Sequence, residues 1–502
     1  MEIPLILYTF LTVLSIFVIY RLLSTRGSTR RQRLPPSPAV ALPVVGHLYL
    51  LKPPLHRNLH RLSQRTGPIF SLKLGVRRCV VVSSPALVEE CFTKNDIVFA
   101  NRPNIIIDEY IGYDHSTMSG APYGELWRSL RRISAQEVLS TTRLNTFLHI
   151  RRDEVNRLLM SLHKASHQGF SQVELRPKLS ELTFNIMMRM LAGKRFFNEG
   201  DESEEGQKFR TLINKVFEMA QASNPQDFLP FLQWIDYGGF TKKLAALAGE
   251  MDEMLQSLVD EHRRETKNSM IGHLLSLQET EPHFYSDLTI KGLLMSMLFA
   301  GTDTSSITIE WTMSLLLNHP HVLNKAREEL ETKIGKQRLI VEEDLSTLPY
   351  LQNIILETFR LFPAGPLLVP HESSSDCTIG GYDIPSGTLL FVNAWAIQRD
   401  PKVWEDATSF KPERFEGVEV EVHKLMPFGM GRRSCPGAGL AQRVVGLALG
   451  SMIQCFDWKR VNSEEVNLAE GDGLTMPKLE PLQAMCTPRK IMNELACYTQ
   501  FN

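Results

Sequence analysis

Apolar positions along the chain change their spacing several times. From Ile3 to Tyr20 they run almost unbroken, with no ionisable group except two tyrosines. As a helix rising about 1.5 Å per residue, such a run just spans a bilayer core of roughly 30 Å. Ile69-Phe70-Ser71-Leu72-Lys73-Leu74 then alternates with period two, Gly75 offers a turn, and Cys79-Val80-Val81-Val82 is a short β-branched run. This predicts a hairpin over 69–82. Pro85 is placed to start a helix. From about Leu126 to Ala326 the period is helical, interrupted by the acidic stretch Asn198–Gly206, which reads as a solvated surface loop. Strand-like runs return at Thr378–Ile384 and Leu389–Val392, and no fixed-period repeat is present. The expected body is mainly α with a small β-sheet portion, in one large domain.

Charge sharpens the reading of the first segment. Arg21, Arg26, Arg30, Arg31 and Arg33 follow the apolar run with no acid among them, against Glu2 alone before it. That asymmetry puts the rest of the chain on the cytosolic side of a retained anchor, one N-terminal transmembrane helix. A cleaved secretory signal would carry the positive charge before its apolar run. Leu34-Pro35-Pro36-Ser37-Pro38, with Pro43 and Gly46 beyond, cannot continue a helix and reads as a stiff spacer.

Composition adds exclusions. The 502 residues hold 55 Lys and Arg against 56 Asp and Glu, a formal net charge of −1, which leaves no cationic excess for binding nucleic acid. With 43% hydrophobic and 22% charged residues the chain is neither disordered nor fibrous. Its seven cysteines are scattered without a Cys-x-x-Cys pair, so zinc ribbons and dithiol redox centres are not expected.

One cysteine stands apart. Pro427-Phe428-Gly429-Met430-Gly431-Arg432-Arg433-Ser434-Cys435-Pro436-Gly437 is a Gly-rich loop followed by an apolar helical run through Leu440, Val444, Leu447 and Ile453. Backbone N–H groups and the positive end of a helix favour a thiolate there, and Arg432 and Arg433 add positive charge. A structural cysteine, a nucleophile and a metal ligand all fit this chemistry. No nearby histidine supports a nucleophile, His423 being twelve residues away. Gly429 and Gly431 lack the strand and third glycine of a dinucleotide fingerprint.

The order Phe428-x-x-Gly431-x-Arg433-x-Cys435-x-Gly437 resembles the haem-binding signature of the cytochrome P-450 family, the haem-thiolate monooxygenases. The resemblance implies a cytochrome P-450 fold and haem b (iron protoporphyrin IX), with Cys435 as axial ligand of the haem iron. It also implies Phe428 near haem and sulfur, and Arg433 on a haem propionate. Four further stretches carry the likeness. Ala300-Gly301-Thr302-Asp303-Thr304-Ser305, ending a long apolar run, resembles the oxygen-activation segment. Gly301 would leave room for dioxygen, Thr304 would hydrogen-bond it, and Asp303 would relay protons. Glu357-Thr358-Phe359-Arg360 with Pro412-Glu413-Arg414-Phe415 resembles a structural Glu–Arg–Arg network. Trp127-Arg128-Ser129-Leu130-Arg131 resembles an early-helix motif, so Trp127 and Arg131 would donate to a propionate, and His371 falls where the family places a basic propionate contact.

On this likeness residues 1–22 are the membrane anchor, 23–46 the basic and Pro-rich hinge, and 47–502 the haem-thiolate catalytic domain. The longer match from Gly431 to Arg443 is similar to plant A-type microsomal members, nearest the isoflavonoid 2'/3'-hydroxylase-like group, family 81 type. The implied activity uses O2 as co-substrate and electrons from NADPH, which reaches the haem through a membrane-bound NADPH-cytochrome reductase and is not bound directly. Arg128, Arg132 and Arg443 are candidates for the reductase docking face. The implied location is the endoplasmic reticulum membrane, single-pass, facing the cytosol. The implied substrate is a hydrophobic small molecule, isoflavonoid- or flavonoid-like, with triterpenoids and lignans as other options. Its pocket would be lined by Asn104–Met118, the helix face around Met297 and Ala300, Gly365–Val369 and Leu474-Thr475. Methylenedioxy-bridge-forming or C–C-coupling oxidation uses the same groups. An isomerase or dehydratase needing no reductase, or a haem-binding sensor, fits the Asp303-Thr304 pair poorly.

Overall fold

Alternating residues build the strands of the computed structural model, which describes Tyr8, Thr12, Ser15 and residues 33–166, 169–197, 204–221, 224–265 and 267–500. The strands are β1 (Ile69–Leu74), β2 (Arg77–Val82), β3 (Ser171–Glu174), β4 (His371–Glu372), β5 (Cys377–Ile379), β6 (Tyr382–Ile384), β7 (Thr388–Val392), β8 (Phe456–Lys459) and β9 (Gln483–Pro488). The hairpin forms where expected, Ile69 opposite Val82, with Gly75 in the left-handed region at φ 57°. The larger sheet has the order β1-β2-β7-β4. Its β2–β7 step is parallel, Val80 opposite Leu390, so most of the helical body lies in the crossover between these two strands. β3-β9-β8 and β5-β6 make two smaller sheets. The run 378–384 is two short strands, because Gly380 and Gly381 turn the chain at φ 56° and 77°.

The longer helices are α1 (Leu55–Thr66), α2 (Pro85–Phe92), α3 (Glu125–Ile133), α4 (Leu148–Ser166), α5 (Leu175–Ala192), α6 (Glu204–Gln221), α7 (Phe240–Arg264), α8 (Met270–Thr280), α9 (Asp287–Asn318), α10 (Pro320–Lys333), α11 (Pro349–Leu361), α12 (Ala438–Cys455) and α13 (Lys490–Gln500). Ser286 starts α9 by accepting from the N–H of Thr289. α9 is apolar around most of its circumference, and the main core closes over it from α5, α7, α11 and α12. Because α12 packs on α9, the loop just before α12 is delivered to the middle of the body. That loop holds Cys435.

Two expectations change. Within the expected acidic loop 198–206, residues 198–203 lie outside the described residues, and 204–206 are the first turn of α6. The Pro-rich stretch is not a free spacer from Arg33 onward. Pro35 is buried, Pro35 and Pro36 carbonyls accept from Ser71 at 2.8 Å each, and the Asp383 N–H donates to the Arg33 carbonyl while the Arg33 N–H donates to the Asp383 carboxylate, both at 2.8 Å. Proline lacks a donor but keeps its carbonyl, so the segment docks along β1 as an acceptor strip. Tyr8, Thr12 and Ser15 are helical; the rest of the anchor expected at 3–20 lies outside the described residues. Among the described residues no helix is long and apolar enough to cross a membrane.

Candidate active site

Backbone geometry of the Gly-rich loop aims amides at the Cys435 sulfur. Gly429 and Gly431 hold φ of 68° and 72°, which side chains rarely adopt. A Cβ on Gly431 would also lie 2.5 Å from an Asp96 carboxylate oxygen. The Cys435 N–H donates to the Phe428 carbonyl at 2.8 Å, closing the loop. Phe428 in turn meets Phe359 edge-on, centroids 5.3 Å apart. Burial pushes the Cys435 thiol up; N–H groups of Gly437 and Ala438 and the charge of Arg131 pull the other way. The nearby cation is therefore Arg131. Arg432, expected to assist, is taken by Asp96 at 2.7 Å and the Tyr123 hydroxyl at 2.6 Å.

Above this loop the structure gathers positive charge without matching negative charge. Arg433 donates to the Ala100, Met118 and Ala121 carbonyls and lies 4.4 Å over the Trp127 ring. Its pKa is pushed down to about 9, by burial first and then by Arg102 and Arg131. Arg102, whose Nε is buried, falls to about 10, burial outweighing the pull of Asp108. Arg102 Nε and Trp127 Nε1 are buried donors with no partner among the described residues. His371 Nδ1 donates to the Phe99 carbonyl at 2.6 Å. Burial, Arg102 and Arg433 hold the His371 pKa well below its ordinary value. Within this set His371 is held toward the neutral form, and Arg102 is a further cation beside the expected basic contact. Buried cations that repel one another and donors left idle fit a ligand carrying carboxylates. Beside them sits an accessible sulfur.

On α9 the small residues divide their tasks differently from the expectation. Gly301 does not face open space: a Cβ there would lie 2.6 Å from Met187 Sδ on α5. Its missing side chain lets two helices approach. Ala300, by contrast, is exposed in the middle of an otherwise buried stretch, and Thr304 follows one turn later on the same face. The Thr304 hydroxyl donates to the Ala300 carbonyl at 2.7 Å, which leaves its oxygen free to accept. Asp303 points elsewhere. Its Oδ2 accepts from the Thr475 hydroxyl at 2.7 Å, and burial raises its pKa against the pull of Thr475 and Arg176. Of the expected pocket segments, Leu368 adopts φ 53° and Val369 is exposed.

The Glu–Arg–Arg network is fully formed. Arg360 gives two bonds to the Glu357 carboxylate at 2.7 and 2.8 Å, and Arg414 Nε reaches the same carboxylate at 3.0 Å. Remaining Arg360 donors find the Gln398, Ala407 and Ser409 carbonyls. Two site residues escaped the sequence reading. Arg102 sits in an ordinary Asn101-Arg102-Pro103 loop, and only its burial beside Arg433 marks it. Thr475 was read as pocket lining, and its bond to Asp303 spans 172 positions of sequence.

The family model described as Cytochrome P450 matches residues 35–483. The chain is 58% identical to "Cytochrome P450 81Q32" of Catharanthus roseus, over 99% of this chain and 100% of that protein. It is 55% identical to the "(+)-piperitol/(+)-sesamin synthase" of Sesamum radiatum, over 96% of each chain. It is 52% identical to the "Isoflavone 3'-hydroxylase" of Medicago truncatula, over 97% of this chain and 99% of that one. A zebra fish cytochrome P450 solved with progesterone superposes with a TM-score of 0.76 at 25% identity, covering 87% of this chain and all of that one.

Proposed function

Because this chain belongs to the cytochrome P450 family, as a plant monooxygenase of the 81 type, we propose that it hydroxylates a hydrophobic, flavonoid- or isoflavonoid-like metabolite at a haem ligated by Cys435. The observation that carries this reading is the pairing of an accessible Cys435 sulfur with the uncompensated cations above it. When bound, haem supplies the iron at which dioxygen is activated, and a thiolate ligand favours O–O cleavage. Arg433, Arg102 and the Trp127 N–H would hold the haem carboxylates, and Arg131 would lend its charge to the Cys435 thiolate. His371 would pack beside this group, bonded to the Phe99 carbonyl. Thr304 accepts a hydrogen bond on the open face, and Asp303 moves protons from solvent. The balance is one C–H, O2, NADPH and one proton giving C–OH, water and NADP+.

Electrons come from a reductase docked on exposed Arg128 and Arg132 of α3 and on Arg443, which bonds Asn145 at 3.1 Å. Charge reversal there slows reduction and spares substrate binding; unchanged reduction kinetics would remove the assignment. The body rests on the endoplasmic reticulum membrane, cytosolic side, behind the anchor at 1–22. This is supported by exposed Val40, Val44, Val76, Trp234, Ile235 and Tyr237, on segments that the Val45–Gly75 and Val76–Phe228 backbone bonds bring together.

A second reading, methylenedioxy-bridge formation, is favoured by the 55% identity to a protein named as a sesamin synthase. Product mass separates the two. Hydroxylation adds one oxygen, whereas bridge formation removes two hydrogens and adds none. The haem-thiolate assignment is tested by the carbon-monoxide difference spectrum of the reduced protein. A red-shifted Soret band in wild type and its loss in Cys435→Ser are expected; its absence from well-folded wild type overturns the reading.

A further inference from the structure

The segment after Leu474 is stitched along α9 by polar contacts. Thr475 Oγ1 donates to Asp303 Oδ2 at 2.7 Å, and the Met476 carbonyl accepts from Trp311 Nε1 at 2.8 Å. Leu482 N–H donates to Glu310 at 2.9 Å. Thr475 is therefore fixed at both ends: its backbone by this stitching, its hydroxyl by the carboxylate. Asp303 Oδ1 has no hydrogen-bond partner among the described residues. Asp303 also borders a cavity of about 50 Å³ lined by Arg176, Ser180, Ser306, Glu310 and others, enough for ordered water among polar groups. Arg176 is partly exposed and binds Glu310 at 3.0 Å, so the cavity ends near the protein surface.

We propose that Thr475 is a positioning residue of the proton path: it occupies one oxygen of Asp303 and presents the other to the water-sized cavity behind α9. This rests on the proton-relay reading of Asp303 given above. A segment expected to touch substrate thus also sets the geometry of the acid. The charged groups around Asp303 are Arg176 on α5, Glu310 two turns along α9, and Lys478 on the segment that carries Thr475. The Thr475 hydroxyl donates to the charged carboxylate and so favours it; removing that donor raises the Asp303 pKa further.

The test uses the haem-loaded, full-length protein. The carbonyl stretch of protonated Asp303 is identified in infrared spectra as the band lost in Asp303→Asn, then titrated with pH. Thr475→Val, which keeps shape and removes the hydroxyl, moves the midpoint up by about one pH unit. Thr475→Ser restores it. With reductase and an isoflavone that the wild type turns over, Thr475→Val also forms about fivefold less product per NADPH, with matching hydrogen peroxide release. An unmoved midpoint with unchanged coupling overturns the proposal. So does a weakened substrate-induced spectral shift with normal coupling, which would make Thr475 a substrate contact. If Asp303→Asn itself couples normally, the relay reading fails instead, and the infrared titration still decides whether Thr475 holds Asp303.

Discussion

Two buried clusters of arginine in this protein differ in how their charge is met. Around Glu357, the Arg360 side chain is fully enclosed, yet each of its donors has a partner, and a carboxylate shared with Arg414 meets its charge directly. Around Arg433, two partly enclosed guanidiniums face carbonyls and each other, and a tryptophan N–H and an arginine Nε are idle. What separates the two is the carboxylate: Glu357 meets Arg360 and Arg414 directly, whereas no carboxylate bonds Arg433 or Arg102 among the described residues. The same residue type thus marks a support in one place and, on the reading proposed above, a binding site in the other.

The contrast breaks most sharply if Glu357 is removed. Glu357→Gln leaves Arg360 buried without its charge partner, and a loss of about 3–5 kcal/mol is expected, read by chemical denaturation and by failure to accumulate folded protein. Arg433→Leu should do the opposite: folding is little affected because only carbonyl bonds are lost, while haem retention falls about tenfold to a hundredfold in a transfer assay to apomyoglobin. Equal destabilisation by both substitutions would erase the distinction.

A pH experiment sharpens it. His371 has a folded pKa far below its unfolded value of about 6.5, so the unfolded chain binds the extra proton first as pH falls. Stability therefore drops as pH falls below about 6.5, by at most about 1.4 kcal/mol per pH unit. His371→Phe should remove that slope, measured as denaturant midpoints between pH 7.5 and 5.5. The smallest effect is expected from Trp127→Phe, which removes one donor from the haem side: about a fivefold faster haem loss with unchanged denaturation.

The hairpin, the long central helix and the cysteine loop were legible because each depends on local signals: period two, a continuous apolar run, and glycines forced into left-handed backbone. The Glu357–Arg360 spacing likewise placed both groups on one helix face. What could not be read was where neighbours come from. Arg432 and Arg433 adjoin in sequence, yet one is captured by Asp96 and the other reaches Ala100 and Trp127. Gly301 was read as making room for dioxygen, yet α5 packs against it and Ala300 is the exposed position. His371 was assigned a basic role from its position, but burial and then Arg102 and Arg433 lower its pKa. The docking of Pro35 and Pro36 on β1 depends on carbonyls that composition hides.

Gly301 has one further consequence. The side chain it lacks would meet Met187 Sδ at 2.6 Å, so α5 and α9 approach closely on the flank of the helix next to Ala300 and Thr304. A methyl group at 301 is accommodated only where the flexible Met187 side chain gives way or is shortened to match. The seat of the long helix thus depends on a contact between residues 187 and 301 that lies outside the groups of the candidate active site.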